Sequence, residues 1–190
     1  HEYANRAYDV SRKAKNLKQK ANALNNLAMV FCHKEFYKSA ITNAEKAIET
    51  ANQIGKSDSA AVQVIKANAN MYLGRAYLQI SAFESAVSHF TLAKQYYKRI
   101  GNKAQVAYMY MLSGVANNKQ GNKEDAIKQY KLSMALYEEM ENEVAIAWML
   151  GNIGNVYQEM RDYRSAFEYY YKALPVFVNY GMKTNELKIY

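Results

Sequence analysis

The sequence repeats itself. The segments FYKSAI (36–41), FESAV (83–87), KEDAI (123–127) and YRSAF (163–167) align on Ala40, Ala86, Ala126 and Ala166, which stand 46, 40 and 40 residues apart. Twelve residues before each alanine is a small residue: Ala28, Gly74, Gly114 and Gly154. Seven after each is another: Ala47, Ala93, Ser133 and Ala173. A fourth register, three after the first small residue, holds Phe31, Tyr77 and Tyr157 and departs only at Asn117. Such a period restricts the fold severely. Each unit is one supersecondary element that cannot bury its apolar face alone, so the units must stack.

Each unit reads as two helices. In LGNIGNVYQEM (150–160), Leu150, Ile153, Gly154 and Tyr157 keep the i, i+3, i+4, i+7 spacing of a single buried face. A tight turn such as RDY or QGN follows, and YRSAFEYYYKAL (163–174) forms a second amphipathic helix. Tyr169, Tyr170 and Tyr171 read as packing residues plus one exposed ring. The single proline, Pro175, and eight glycines leave few breaks, which favours helix nearly throughout. Six extra residues between the first two units fall near QIGKSDSAAV (53–62). They are expected to lengthen one or both flanking helices, with Ser57 or Asp58 as a helix N-cap.

Composition narrows the function classes. Half of the 190 residues are hydrophobic, enough for a substantial core. The lone Cys32 excludes an internal disulfide framework and reads as a partly buried, inert filler. His1, His33 and His89 lack ligand spacing, so neither metal nor cofactor is expected, and His33 reads as an exposed helix-end residue. There is no phosphate-binding Gly-rich loop or nucleophile motif, and Glu138, Glu139, Glu141 and Glu143 read as a solvated turn. The expectation is a non-enzyme. No apolar run approaches a membrane span and no signal peptide is visible, so a cytoplasmic setting is expected over export and no membrane contact is assigned. The net charge is +8, but residues 1–20 alone carry +4. That segment reads as a solvated basic helix face ahead of an anionic-partner patch, and nucleic acid is disfavoured.

These residues resemble the tetratricopeptide repeat in its longer, 40-residue variety, over essentially the whole chain. Small–x–x–Tyr in the first helix, then aromatic–x–x–Ala and a second small residue seven later, is that family's pattern. The resemblance implies an all-α, right-handed α-solenoid of antiparallel helix pairs. As a single array, it divides into a partial unit over 1–17, repeats over about 18–57, 58–101, 102–141 and 142–181, and a partial unit over 182–190. Two departures stand out: the family's usual proline after the second helix is missing from every unit, and Asn117 replaces an aromatic, which suggests looser packing there. The register continues past both ends, so the array is expected to belong to a longer chain.

With the small residue of each first helix numbered 8, positions 4, 7, 8 and 11 cluster on the packing side at about 100° per residue. Positions 2, 5, 6, 9, 12 and 13 cluster opposite. The resemblance implies that first helices line a concave groove, so this second set should line it. It includes Asn22, Asn25, Asn26, Asn68, Tyr72, Arg75, Tyr108, Lys119, Trp148, Asn152 and Asn155. Amides there can clamp the backbone of an extended peptide with both donors and an acceptor. The stretch NALNNLA (22–28) is similar to the first helix of kinesin light chain repeats, and that similarity implies that Asn26 and Asn152, at position 6, contact a cargo peptide. Tyr72 and Leu112 depart from this pattern.

Two functions compete. One is a module binding a peptide or protein segment in the groove, within a larger regulatory or scaffold protein. The alternative is a self-association module of a bacterial sensor or transcription regulator. The partner expectations are therefore a protein or peptide ligand, or a homo-oligomer.

Overall fold

The computed structural model describes residues 16–54 and 59–181. Among the described residues eight helices run in order: α1 (Leu17–His33), α2 (Tyr37–Asn52), α3 (Ala60–Gln79), α4 (Phe83–Arg99), α5 (Lys103–Gln120), α6 (Lys123–Glu138), α7 (Glu143–Glu159) and α8 (Tyr163–Asn179). No strand occurs among the described residues. The helices pair as four hairpins, in two compact units that divide between Asn102 and Lys103. In the first unit α1 packs on α2, α3 on α4, and both α1 and α2 on α3. In the second, α5 packs on α6, α6 on α7 and α7 on α8.

The turn inside each hairpin is closed by the same bond. The N–H groups of Phe36, Ala82, Asn122 and Asp162 each donate at 2.9 Å to the carbonyls of Phe31, Tyr77, Asn117 and Tyr157. Those acceptors are the fourth register of the sequence. A backbone carbonyl is indifferent to its side chain, so Asn117 closes its turn as the aromatics do. The residue before each donor is left-handed: Glu35, Ser81, Gly121 and Arg161 all have positive φ, as a helix C-terminal motif of this type requires. At the wider junction between the first two hairpins, α3 reaches 20 residues against 17 for α1. Ser57 and Asp58 lie outside the described residues; the side chain that caps α3 is Ser59, accepting from the Val62 N–H at 3.4 Å.

The small-residue registers mark where helices approach most closely. The four aligned alanines and the four residues seven beyond them are all buried. Ser133, the polar exception, donates its hydroxyl to the Ala107 carbonyl at 2.8 Å, which offsets its desolvation. The glycines go further. A Cβ added at Gly74, Gly114 or Gly154 would stand 2.5, 2.6 and 2.6 Å from ring carbons of Phe90, Tyr130 and Tyr170. Each of those rings sits four residues after the unit's aligned alanine. In the first hairpin the same pair is Ala28 and Ala44, both within one core cluster with Leu24, Leu27 and Leu73. Size is exchanged across the contact: glycine meets an aromatic, alanine meets alanine.

A methyl group at Gly154 must displace the Tyr170 ring, which lies in the cluster with Ala147, Ala166, Ala173 and Phe177. Gly154→Ala is therefore expected to lower stability by about 1–3 kcal/mol through overpacking, measured by urea unfolding.

Candidate functional site

At position 6 of the first helices Asn26 is exposed on α1 and Asn152 half-buried on α7, whereas Leu112 on α5 is buried. Asn22, at position 2 of α1, is exposed as well. Asn25 is not a groove residue. It is 3% exposed, and its Nδ2 donates at 3.0 Å to the Ile65 carbonyl on α3. The reason is angular. Position 5 precedes the small residue by three, which places it on the face turned to the neighbouring first helix. Met71 and Gly151, at position 5 of α3 and α7, are buried too.

Position 2 also differs from expectation in three hairpins, because it meets the last turns of its own second helix. Asn68 accepts from the Tyr97 hydroxyl at 2.6 Å. Trp148 sets its ring edge-on to Phe177 with centroids 5.2 Å apart. Tyr108 is half-buried and lies close enough to Tyr137 to add to the upward pull of burial on that hydroxyl. The counterpart of Tyr97, Tyr137 and Phe177 in the first hairpin is Ala51, too short to reach Asn22, which explains why that asparagine alone stays in solvent. Tyr72 packs against the first unit's core, with the Cys32 thiol 3.7 Å from its backbone carbonyl. Arg75, half-buried, lies near that thiol; burial nevertheless pushes Cys32 above its ordinary range, so the sulfur stays protonated.

The remaining predicted residues converge in the second unit. Lys119, Asn152 and Asn155 line a cleft of about 550 Å³ with Val115, Asn118, Gln158 and Glu159. These seven occupy positions 6, 9, 12 and 13 of α5 and α7. Tyr130 and Tyr163 complete the lining from α6 and α8. The second-helix residues lie outside the set of positions numbered on the first helices. Gly114 carried the signal for Tyr130, since a glycine at a close helix approach implies a large side chain opposite.

The hydrogen bonds around the cleft fix what it can offer. Lys123 pairs with Glu159 and donates to Asn118 Oδ1 at 2.8 Å, while Asn118 Nδ2 reaches Glu159 at 3.3 Å. The acidic group is thus neutralised on the cleft's rim. Lys119 is exposed and pairs with no described residue. Tyr170 donates to Asn155 Oδ1 at 2.6 Å and approaches Gln158 Oε1 at 3.0 Å. Burial, with the Glu159 charge second, raises the Tyr170 pKa, so the hydroxyl remains a donor at neutral pH. The same causes raise Tyr130. With its oxygen occupied, Asn155 presents N–H groups to the cleft. Lys119 adds a cation, and Asn152 can both donate and accept. The surface therefore favours ligands rich in acceptors, such as peptide carbonyls and carboxylates. Among the described residues no cluster of His, Cys, Asp and Glu is placed to hold a metal, and no helix is long and apolar enough to cross a membrane.

Fold and site together describe a helical-repeat protein with a polar cleft lined mainly by two of its first helices. Similarity to solved structures agrees on the fold. Aspartyl phosphate phosphatase F from Bacillus subtilis superposes with a TM-score of 0.78 at 18% identity, over 88% of this chain and 43% of that one. BtubC (BKLC) from P. vanneervenii gives 0.78 at 18% identity, over 94% and 72%. A Rap protein complexed with Competence and Sporulation Factor gives 0.76 at 15% identity, over 92% and 47%. This chain thus spans less than half the length of two of these proteins. No curated protein matches the sequence. Residues 74–190 match the family described as SNAP, soluble NSF attachment protein, and the chain belongs to that family.

The buried and exposed amides separate in a simple test. Asn25→Ala removes a buried hydrogen bond and is expected to destabilise by about 1–2 kcal/mol, whereas Asn26→Ala should stay within about 0.5 kcal/mol. Paired thermal and urea melts distinguish them.

Proposed function

We propose that the chain is a protein-interaction module that holds an extended segment of a partner protein in the cleft between α5 and α7. The observation that carries this reading is the convergence of Lys119, Asn152 and Asn155 in one cleft whose single acid, Glu159, is already paired with Lys123. Amide groups clamp a peptide backbone whatever its side chains, and Lys119 attracts an acidic residue or carboxylate beside it. Val115 and the rings of Tyr130 and Tyr163 supply apolar contact.

Membership in an attachment-protein family supports binding to protein, and a Rap protein of the same fold is known in complex with a factor. Within the first unit, the kinesin-light-chain-like stretch NALNNLA leaves Asn26 exposed at the position that Asn152 holds in α7. No observation comparable to this cleft favours catalysis.

The test begins with selection of binding peptides from a random displayed library on the immobilised protein, followed by anisotropy titration. Asn152→Ala and Lys119→Ala are each expected to weaken the selected peptides about 5–10-fold, the value of one hydrogen bond or charge contact. Selected peptides that ignore both cleft substitutions, or a library that yields none, would sink the proposal.

A further inference from the structure

Opposite charges stand at the same place on the two first helices that line the cleft. Lys119 on α5 and Glu159 on α7 both occupy position 13, five residues after Gly114 and Gly154. Periodicity alone would pair them with each other. The structure pairs Glu159 with Lys123 instead. Lys123 is the first residue of α6, where the other second helices begin with Tyr37, Phe83 and Tyr163. It is the one charged residue in that register, and it does not itself line the cleft.

The pairing is closed on every side. Lys123 is half-buried, and its ammonium has three N–H groups to donate. Their acceptors are Asn118 Oδ1 at 2.8 Å, the Asn118 carbonyl at 3.2 Å and Glu159. Asn118 Nδ2 donates to the other Glu159 oxygen at 3.3 Å. Lys123 therefore has no donor left for a ligand, and both Glu159 oxygens are engaged. Lys119 is exposed, pairs with no described residue and keeps its charge for the cleft. The acid is close enough to matter there. After burial, the Glu159 charge is the second cause that raises the Tyr130 and Tyr170 hydroxyls.

We infer that Lys123 sets the charge preference of the cleft: by holding Glu159 it leaves Lys119 as the charge a partner meets, so the cleft selects segments that carry a carboxylate. The inference rests on the reading of the cleft as a peptide-binding surface, and adds the class of segment and the residue that decides it. Lys123 acts through Glu159 and is a positioning residue rather than a ligand contact. Without it, Glu159 would turn its charge on the cleft it lines. An incoming carboxylate would then meet a like charge, or find Lys119 already drawn to Glu159. Segments without an acid would lose nothing.

Fluorescein-labelled peptides selected from a random displayed library, and copies with every Asp and Glu replaced by Asn and Gln, give an acid-over-amide affinity ratio by anisotropy. For the wild-type chain the ratio is expected to be about 5–10 and to fall as salt rises. Lys123→Met should bring it to about 1 by weakening the acidic peptides alone. Adding Glu159→Gln to Lys123→Met should restore the ratio, which a damaged fold could not do. Selected peptides free of acidic residues overturn the inference, as does a ratio that Lys123→Met leaves unchanged or that Glu159→Gln fails to restore. The cleft reading is tested separately by Asn152→Ala, which should weaken both members of each peptide pair alike. Peptides sensitive to Asn152→Ala but indifferent to Lys123→Met overturn this inference alone. A library without binders overturns both.

Discussion

An aromatic ring lying on a glycine holds each of the last three hairpins together. At Gly74, Gly114 and Gly154 the missing Cβ lets Phe90, Tyr130 and Tyr170 sit against the first helix's backbone. In two of these hairpins the ring is a tyrosine, and its hydroxyl end comes out near the first helix's polar side. Tyr170 packs on Gly154 and hydrogen-bonds Asn155, the very next residue. Tyr130 packs on Gly114 and forms a wall of the cleft. The contact that closes the hairpin thus also orients the groups a ligand would meet. In the second hairpin the ring is Phe90, which has no hydroxyl to offer, and no equivalent amide is fixed there from below.

The asparagines show how one residue type serves two ends on one helix. Asn25 and Asn26 are neighbours in sequence, yet a rotation of 100° puts the first between α1 and α3 and the second in solvent. A buried amide bonded to a helix carbonyl pins one hairpin to the next, a directional link that alanine or leucine packing does not supply. An exposed amide on the same helix is available to a partner. Asn68 is a third case, half-buried and accepting from the Tyr97 hydroxyl within its own hairpin.

Membership in the SNAP family and likeness to Rap-type and BtubC structures describe the scaffold, and scaffolds of stacked hairpins host many activities. The chain's local features are an amide-rich cleft on one unit, with one cation unpaired among the described residues, and exposed apolar side chains on the last described helix. The two meet on α8, where Tyr163 lines the cleft at the helix's first residue and the other exposed apolar side chains begin at Phe167.

The repeat period, the hairpin turns and the buried alanines were legible in the sequence, because each depends on residues within one hairpin. Helical periodicity settles which side of a helix faces its own partner, and small residues mark closest approach. Positions 6, 9, 12 and 13 were assigned to the open side for the same reason, although Leu112 at position 6 and Leu78 at position 12 are buried. Positions 2 and 5 were misplaced because their surroundings come from elsewhere. Whether position 2 is covered depends on the length of a side chain about 29 residues on, Ala51 in one hairpin and Tyr97, Tyr137 or Phe177 in the others. Whether position 5 is covered depends on how closely the next first helix approaches. Sequence alone therefore determined the units and their internal packing. Only the tertiary structure decided which amides were sealed, that Lys123 neutralises Glu159, and where the cleft opens, because those outcomes rest on distances between hairpins that no local periodicity encodes.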